Sequence, residues 1–203
     1  MNAGRRFARL ATDAVLRRPA LWRLFRWPLR AQFDRLAPHW DSLRSPDAFA
    51  AMELALDALP GSPGRVLDLG TGTGTVALIV ARRFPEAEVV GVDISGKMVD
   101  AARQKLPPEL AGRVRFEVAD ATRLAYADGD FDLVTLANMI PFFDELARVV
   151  APGGRVVFSF SAGPETPIWV TPDRLERELA ARGFAEFAGF SAAKGTALGA
   201  RKR

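Results

Sequence analysis

The chain contains no cysteine. That excludes a disulfide framework, a thiolate nucleophile and a cysteine-ligated zinc site. It also has a single histidine, His39, which excludes a histidine-rich centre, so no metal site is expected. No window reaches eighteen apolar residues, so no membrane-spanning helix is expected. The first residues, MNAGRRFARLATDAVLRRPALWRLF, are basic but lack the unbroken apolar stretch and small-residue cleavage site of a secretion signal. The lack of cysteine suits a reducing compartment, and the expected location is cytoplasmic.

What remains is enough for one real core. The chain has 203 residues and is 49% apolar, which is long enough for one core and short for two. Its formal charge is +4, spread unevenly. Residues 1 to 35 carry nine arginines against Asp13 and Asp34, a net of +7, so the rest sums to −3. A uniformly basic protein would point to nucleic acid. Here the positive charge belongs to one segment and the body is mildly acidic.

Three zones follow along the chain. Residues 1–45 are arginine-rich with interleaved Leu, Trp and Phe, and read as a helical lid or surface-association segment. From residue 46 the pattern alternates short apolar strands with helical stretches, as in parallel βαβ units. A helix is expected over 46–59 with Pro46 near its start, ended by Pro60-Gly61-Ser62-Pro63-Gly64. Strands are expected over 65–69, 88–93, 114–118, 131–136 and 155–160. The helices between them are expected over about 74–84, from an N-cap at Ser95 to about 106, and over 142–150. A further helix precedes Gly183, and 184–190 and 194–200 read as a closing antiparallel pair.

The stretch VLDLGTGTGTVAL, residues 66–78, carries the functional signal. Gly70, Gly72 and Gly74 follow a strand and open a helix. Glycines there allow a tight turn, close ligand approach and close helix packing. The full dinucleotide fingerprint would need glycine at Thr75, and a phosphate loop ending in Gly-Lys-Ser/Thr is absent. The loop therefore fits a nucleoside ligand without requiring a pyrophosphate, although an ordinary glycine-rich turn would read the same alone. Asp93 ends the next strand about 20 residues on, where a carboxylate can accept from both ribose hydroxyls. Asp120 follows the third strand, where it could take an adenine amino proton, with Ala121 as a backbone donor.

Taken together, these segments resemble the class I methyltransferases that use S-adenosylmethionine. VLDLGTGTG resembles the first motif, VVGVDIS the second, FEVADAT and FDLV the third and fourth, and VAPGGRVVF the turn and fifth strand. The resemblance implies a Rossmann-like α/β fold with a seven-stranded, mostly parallel sheet in the order 3-2-1-4-5-7-6, its last strand antiparallel. It implies S-adenosylmethionine as cofactor, bound by a domain covering 46–203. Asp68 with Gly70, Thr71, Gly72 and Gly74 would form the methionine-side wall. Asp93 would bind the ribose beside Ile94, and Asp120 and Ala121 the adenine edge. Asn138 and Met139 would form the lip facing both cofactor and acceptor.

Methyl transfer from a sulfonium needs alignment and exclusion of water more than a metal or a covalent intermediate. A base is required only if the acceptor must lose a proton. His39, Asn138, Asp41 and Tyr126 are the weak candidates. LANMIPFFDELARVV departs from the family, because the chain reaches Pro141 and a helix at once, without the longer histidine-containing passage of many relatives. It also lacks the Asn-Pro-Pro-Tyr arrangement of amino methylation of nucleic-acid bases. No large insertion follows the fifth strand, so acceptor walls are expected from the N-terminus or a partner. There, Trp22, Phe25, Leu29 and Phe33 share a helical stripe that Pro28 could bend or divide. The expected activity is methylation of a small-molecule, lipophilic acceptor, with peripheral membrane association through residues 1–35. An RNA or DNA methyltransferase, a noncatalytic S-adenosylmethionine-binding module and, more weakly, an NAD-dependent enzyme remain as alternatives.

Overall fold

The computed structural model describes residues 3–203, so the first two positions of the basic segment lie outside the described residues. The chain builds α1 (Ala3–Arg17), α2 (Trp22–Leu36), α3 (Ala50–Asp57), β1 (Arg65–Leu69), α4 (Thr75–Arg83), β2 (Glu88–Asp93), α5 (Gly96–Lys105) and β3 (Val114–Val118). It continues through β4 (Phe131–Ala137), α6 (Phe143–Val149), β5 (Val150–Phe160), α7 (Pro172–Ala180), β6 (Phe184–Ala192) and β7 (Gly195–Lys202). The sheet order is β3-β2-β1-β4-β5-β7-β6. The first five strands run parallel, and β7 lies antiparallel between β5 and β6. Both the architecture and the order are those the family resemblance implies.

The central strands are apolar because both of their faces are covered. Alternation along β1 sends Leu67 and Leu69 into one core and Val66 into the other. β4 does the same with Val134 and Leu136 against Leu133. One core contains residues of α6, α7 and the N-terminal helices, the other residues of α3, α4 and α5. The strand order reverses between β1 and β4, so the crevice at their carboxyl ends is the natural ligand position in such a sheet.

Two boundaries differ from expectation. Residues 46–49 form turns, with Ala48 N donating to Ser45 O and Ala50 N to Asp47 O, so α3 begins at Ala50 rather than at Pro46. β5 extends back to Val150 because its register on β4 shifts between Phe131 and Leu133, which absorbs the Pro152-Gly153-Gly154 turn as an irregularity. Pro28 does not divide α2, which runs unbroken across it. Its ring lies on the exposed face, while Trp22 and Leu29 are buried and Phe25 and Phe33 pack partly against the core. That apolar anchorage offsets the backbone hydrogen bond a proline removes.

α1 and α2 lie against the sheet's carboxyl edge. Arg9 donates to Pro164 O and Thr166 O at 2.9 and 2.6 Å, Arg5 to Glu165 O at 3.0 Å, and Arg174 to Leu16 O at 2.6 Å. Arg5 and Arg9 of the basic segment therefore tie it to the segment after β5, and Arg174 of α7 ties back to it.

Candidate functional site

A cavity of about 1,090 Å³ opens at the carboxyl ends of β1, β2 and β4, and α2 forms much of its roof. It lies at the upper end of the range of about 300–1,000 Å³ usual for small-molecule sites.

The glycine loop forms its floor. Gly70, Gly72 and Gly74 all have positive φ, at +76°, +54° and +81°. Gly70 N and Thr71 N both donate to Val92 O at 2.9 Å, which hooks the loop onto β2. A β-carbon on Gly70 would come 2.8 Å from the Met139 side chain, and one on Gly72 would come 3.2 Å from Trp40 Nε1. Gly74 serves a different purpose. It does not line the cavity, and a β-carbon there would meet Phe116 at 2.7 Å and Ala102 at 3.0 Å. Its lack of a side chain lets α4 and α5 approach β3.

Asp68 braces this loop. Strand alternation turns its side chain to the α4 side of the sheet, where it is 1% exposed. Its Oδ2 accepts from Thr71 Oγ1 at 2.6 Å and from Ala77 N at 3.1 Å, and its Oδ1 accepts from Thr135 Oγ1 at 2.9 Å. Burial pushes its carboxyl up to about 6, against the opposing effect of these hydrogen bonds. The residue reaches the cavity wall, but its oxygens are committed to protein donors.

Asp93 ends β2. Its Oδ2 accepts from Gly72 N at 2.9 Å and its Oδ1 from Ser95 N at 2.8 Å. Burial raises its pKa, these two backbone donors lower it, and Asp34 of α2 adds a like charge. Asp34 enters through Ser95, whose hydroxyl donates to Asp34 Oδ1 at 2.5 Å and accepts from Met98 N at 3.1 Å as the N-cap of α5. Ile94, Ala121 and Met98 line the adjoining wall.

Asp120 stands differently from its expected role at the adenine edge. It is not among the lining residues. The Trp22 indole N–H from α2 donates to both its oxygens, at 2.9 and 3.1 Å. Thr122 N and Oγ1 donate to Oδ1 at 3.0 and 2.8 Å, and Arg26 lies 3.9 Å from Oδ2. Trp22 itself is held edge-on to Phe142 at 5.1 Å. In this arrangement α2 takes the acceptor that the resemblance assigns to the adenine edge.

Asn138 has left-handed backbone, φ +51°, and ties the ends of β4 and β5 together. Its Oδ1 accepts from Ser161 N at 2.9 Å, and its Nδ2 donates to Ser161 Oγ at 3.0 Å. It lines the cavity with Met139, but its side chain is already paired. The weak base candidates do not gather here. His39 is exposed and outside the lining. Asp41 pairs with Arg44 and Lys105 at 2.6 and 2.7 Å. The Tyr126 hydroxyl donates to Glu117 at 2.8 Å, and burial raises its pKa.

Four residues that the sequence did not single out as cofactor contacts reach the site: Trp22, Asp34, Trp40 and Arg44. Trp22 is legible as a member of the apolar stripe, but that spacing predicts core packing rather than a bond to Asp120. Trp40 and Arg44 follow His39 in HWDSLR, a stretch without periodicity.

Comparison with known proteins adds three findings. A family model described as a methyltransferase domain matches residues 66–154. The demethylmenaquinone methyltransferase of Thermus thermophilus is 44% identical over 147 residues, covering 66% of this chain and 66% of that protein. The ubiquinone/menaquinone biosynthesis C-methyltransferase UbiE of Geotalea daltonii is 36% identical over 143 residues, covering 64% and 61%. The match thus spans just under two thirds of these relatives' own length. Among solved structures, a SAM-dependent methyltransferase from Aquifex aeolicus superposes with a TM-score of 0.68 at 17% identity, covering 82% of this chain and 98% of that one. That last likeness is one of fold.

Proposed function

The chain belongs to the class I S-adenosylmethionine-dependent methyltransferase family, and on that premise we propose that it transfers a methyl group from S-adenosylmethionine to a small lipophilic acceptor. The cofactor half rests on the fit of the floor. Gly70 and Gly72 leave backbone where a side chain would intrude, and Asp93 presents a carboxylate beside it. When bound, the cofactor supplies an electrophilic methyl on a sulfonium. The chain's part is to hold the acceptor in line with that methyl and to exclude water.

The observation that carries the acceptor half is the apolar continuation of the cavity. Leu29 and Phe33 from α2, Met139 and Ile140 after β4, and Ile168 after β5 line it. A flat, greasy ring with a soft nucleophilic atom fits such walls. The Thermus relative is named for demethylmenaquinone and the Geotalea relative for ubiquinone/menaquinone biosynthesis, which makes a demethylmenaquinone-type hydroquinone the acceptor to try first. Asp68 and Asp93 line the cavity but are engaged by protein donors, so neither is placed as the base that takes an acceptor's proton.

In this reading residues 1–45 act as the acceptor-binding lid on a cofactor-binding domain of 46–203. The outer face of α2 also offers a membrane contact. Leu24 and Trp27 are 63% and 59% exposed, and Arg26 and Arg30 lie 5.5 and 5.4 Å from the Trp27 ring. Apolar side chains flanked by arginine suit an anionic bilayer surface.

The test is transfer of labelled methyl to a demethylmenaquinone-type hydroquinone carried in vesicles, neutral in one arm and anionic in the other. Methylated quinol is expected in both, with faster turnover on the anionic vesicles. Cofactor binding without transfer to any lipophilic acceptor would reduce the protein to a binding module. Equal rates in the two arms would remove the membrane contact.

A further inference from the structure

One end of the cavity carries a rim of positive charge. Arg5 of α1, Arg35 of α2 and Lys194 of the β6–β7 turn all line the cavity and are exposed. Three contacts bring them to the same end. Arg5 donates to Glu165 O at 3.0 Å. The Lys194 carbonyl borders Gly163 of that same segment, 3.3 Å from where a β-carbon would stand. Gln32 Nε2, three residues before Arg35 on α2, lies 3.5 Å from Gly4 O beside Arg5. The same elements supply apolar lining, with Ala8 from α1, Leu29 from α2 and Ile168 after β5. A greasy wall therefore leads to a cationic mouth.

This rim lacks matching negative charge. Asp47 is the one further acid in the lining besides Asp68 and Asp93 of the floor, and it forms no ion pair among the described residues. The floor acids are held by protein donors, and Glu165 lies outside the lining. Arg35 Nε reaches only the Ala31 carbonyl of its own helix, at 3.2 Å. The Lys194 ammonium has no hydrogen-bond or ion-pair partner among the described residues. Its placement comes at a cost to the backbone. Ala193, which also lines the cavity, has φ +51° at the first position of the two-residue turn between Ala192 and Gly195, where glycine is favoured. Strain of this kind gathers at ligand sites. Arg5, Arg35 and Lys194 also lie outside residues 66–154, the stretch that matches the methyltransferase-domain model, so the rim belongs to this chain's flanking segments.

We propose that the methyl acceptor carries an anionic group at the end remote from the methylated atom, and that Lys194 and Arg35, with Arg5, select it at the rim. Like charges converging on the mouth of an apolar cavity concentrate potential there and draw in an anion. The proposal rests on the lipophilic-acceptor reading and narrows it, because a polyprenyl hydroquinone with a neutral tail would leave the rim unmatched.

The test is turnover, without vesicles and with saturating S-adenosylmethionine, of two soluble naphthohydroquinones that differ only in whether the side chain ends in a carboxylate or in its carboxamide. The wild type is expected to prefer the carboxylate about tenfold in kcat/KM, since exposed ion pairs contribute up to about fivefold each. In about 1 M salt, where the screening length is about 3 Å, the preference is expected to fall below about twofold. Lys194→Gln and Arg35→Gln are each expected to cut it about two- to threefold, and Lys194→Glu to cut it further. Variants that slow both compounds alike and keep the ratio intact would overturn the proposal, because a merely structural role predicts that result. So would a wild type indifferent to the charge. If the wild type is indifferent in solution and Lys194→Gln slows it only on anionic vesicles, the rim meets lipid headgroups and the proposal falls. Turnover of neither compound with the cofactor bound refutes the acceptor reading itself, and the charge assignment falls with it.

Discussion

Replacing Asp68 with Asn separates a brace from a ligand. In the folded chain its carboxyl is pushed up from 3.8 to about 6 by burial, so the folded state holds this proton more tightly than the unfolded state. The stabilisation from the protonated form is fully present below about pH 4 and is lost as pH rises through about 6. A displacement of that size corresponds to about 3 kcal/mol lost between pH 4 and pH 7. Asn is neutral throughout, and its amide suits the same partners. The carbonyl can accept from Thr71 and Ala77, while the amine can donate to Thr135, whose hydroxyl is free to rotate. Asp68→Asn is therefore expected to match the wild type near pH 4 and to exceed it by up to about 3 kcal/mol at pH 7. Urea unfolding of both proteins across pH 4 to 7.5 measures this. Cofactor affinity of the variant is expected to stay within about threefold, since the oxygens it alters face protein donors. A flat difference curve, or a variant that loses ground as pH rises, would refute the linkage argument. A large loss of cofactor affinity in a stable variant would show that Asp68 touches the ligand directly.

Two further expectations concern the acids at the strand ends. Asp93→Ala leaves Gly72 N and Ser95 N without their acceptor and removes the proposed ribose contact, so S-adenosylmethionine affinity should fall about ten- to a hundredfold by titration; unchanged affinity refutes the role. Trp22→Phe keeps the ring against Phe142 but removes the N–H that occupies Asp120, so cofactor binding should tighten about fivefold if the adenine edge competes for that carboxylate. Equal or weaker binding would mean that the indole and the nucleoside do not contend for it.

Much of this fold is legible locally because its strands are covered on both faces and end abruptly. β1, β2 and β3 run over the residues expected of them: β1 lies between Gly64 and Gly70, β2 ends at Asp93, and β3, at the sheet edge, alternates apolar with charged residues. The start of α3 was not legible, because a proline followed by Asp47 is as good a turn as a helix entry. Nor was the start of β5, where a shifted register lets a Pro-Gly-Gly turn stay within a strand. The loop glycines and Asp93 could be placed because strand ends converge on one edge in this topology. The engagement of Asp120 could not, since it depends on how α2 crosses that edge, a tertiary fact that spacing along the chain does not encode. Alternation along β1 did carry one unread signal. It sends Asp68 to the α4 face with Thr135, which is why a residue expected in the wall also braces the loop.

The short passage after β4 and the lack of an insertion after β5 leave the carboxyl edge bare, and the N-terminal segment covers it. α2 and the residues after it do so through the same groups that flank the cofactor floor. Trp22 bonds Asp120, Asp34 bonds the Ser95 hydroxyl beside Asp93, and Trp40 lies over Gly72. Leu29 and Phe33 on the same helix line the apolar extension. One element thus roofs both halves of the cavity. A displacement of α2 that admits the cofactor must also disturb the acceptor walls, and an acceptor packed against Leu29 and Phe33 stabilises the roof over the cofactor. By linkage, each ligand then strengthens the binding of the other by the same factor, so acceptor affinity measured with and without S-adenosylhomocysteine should differ by the ratio found in the reverse titration.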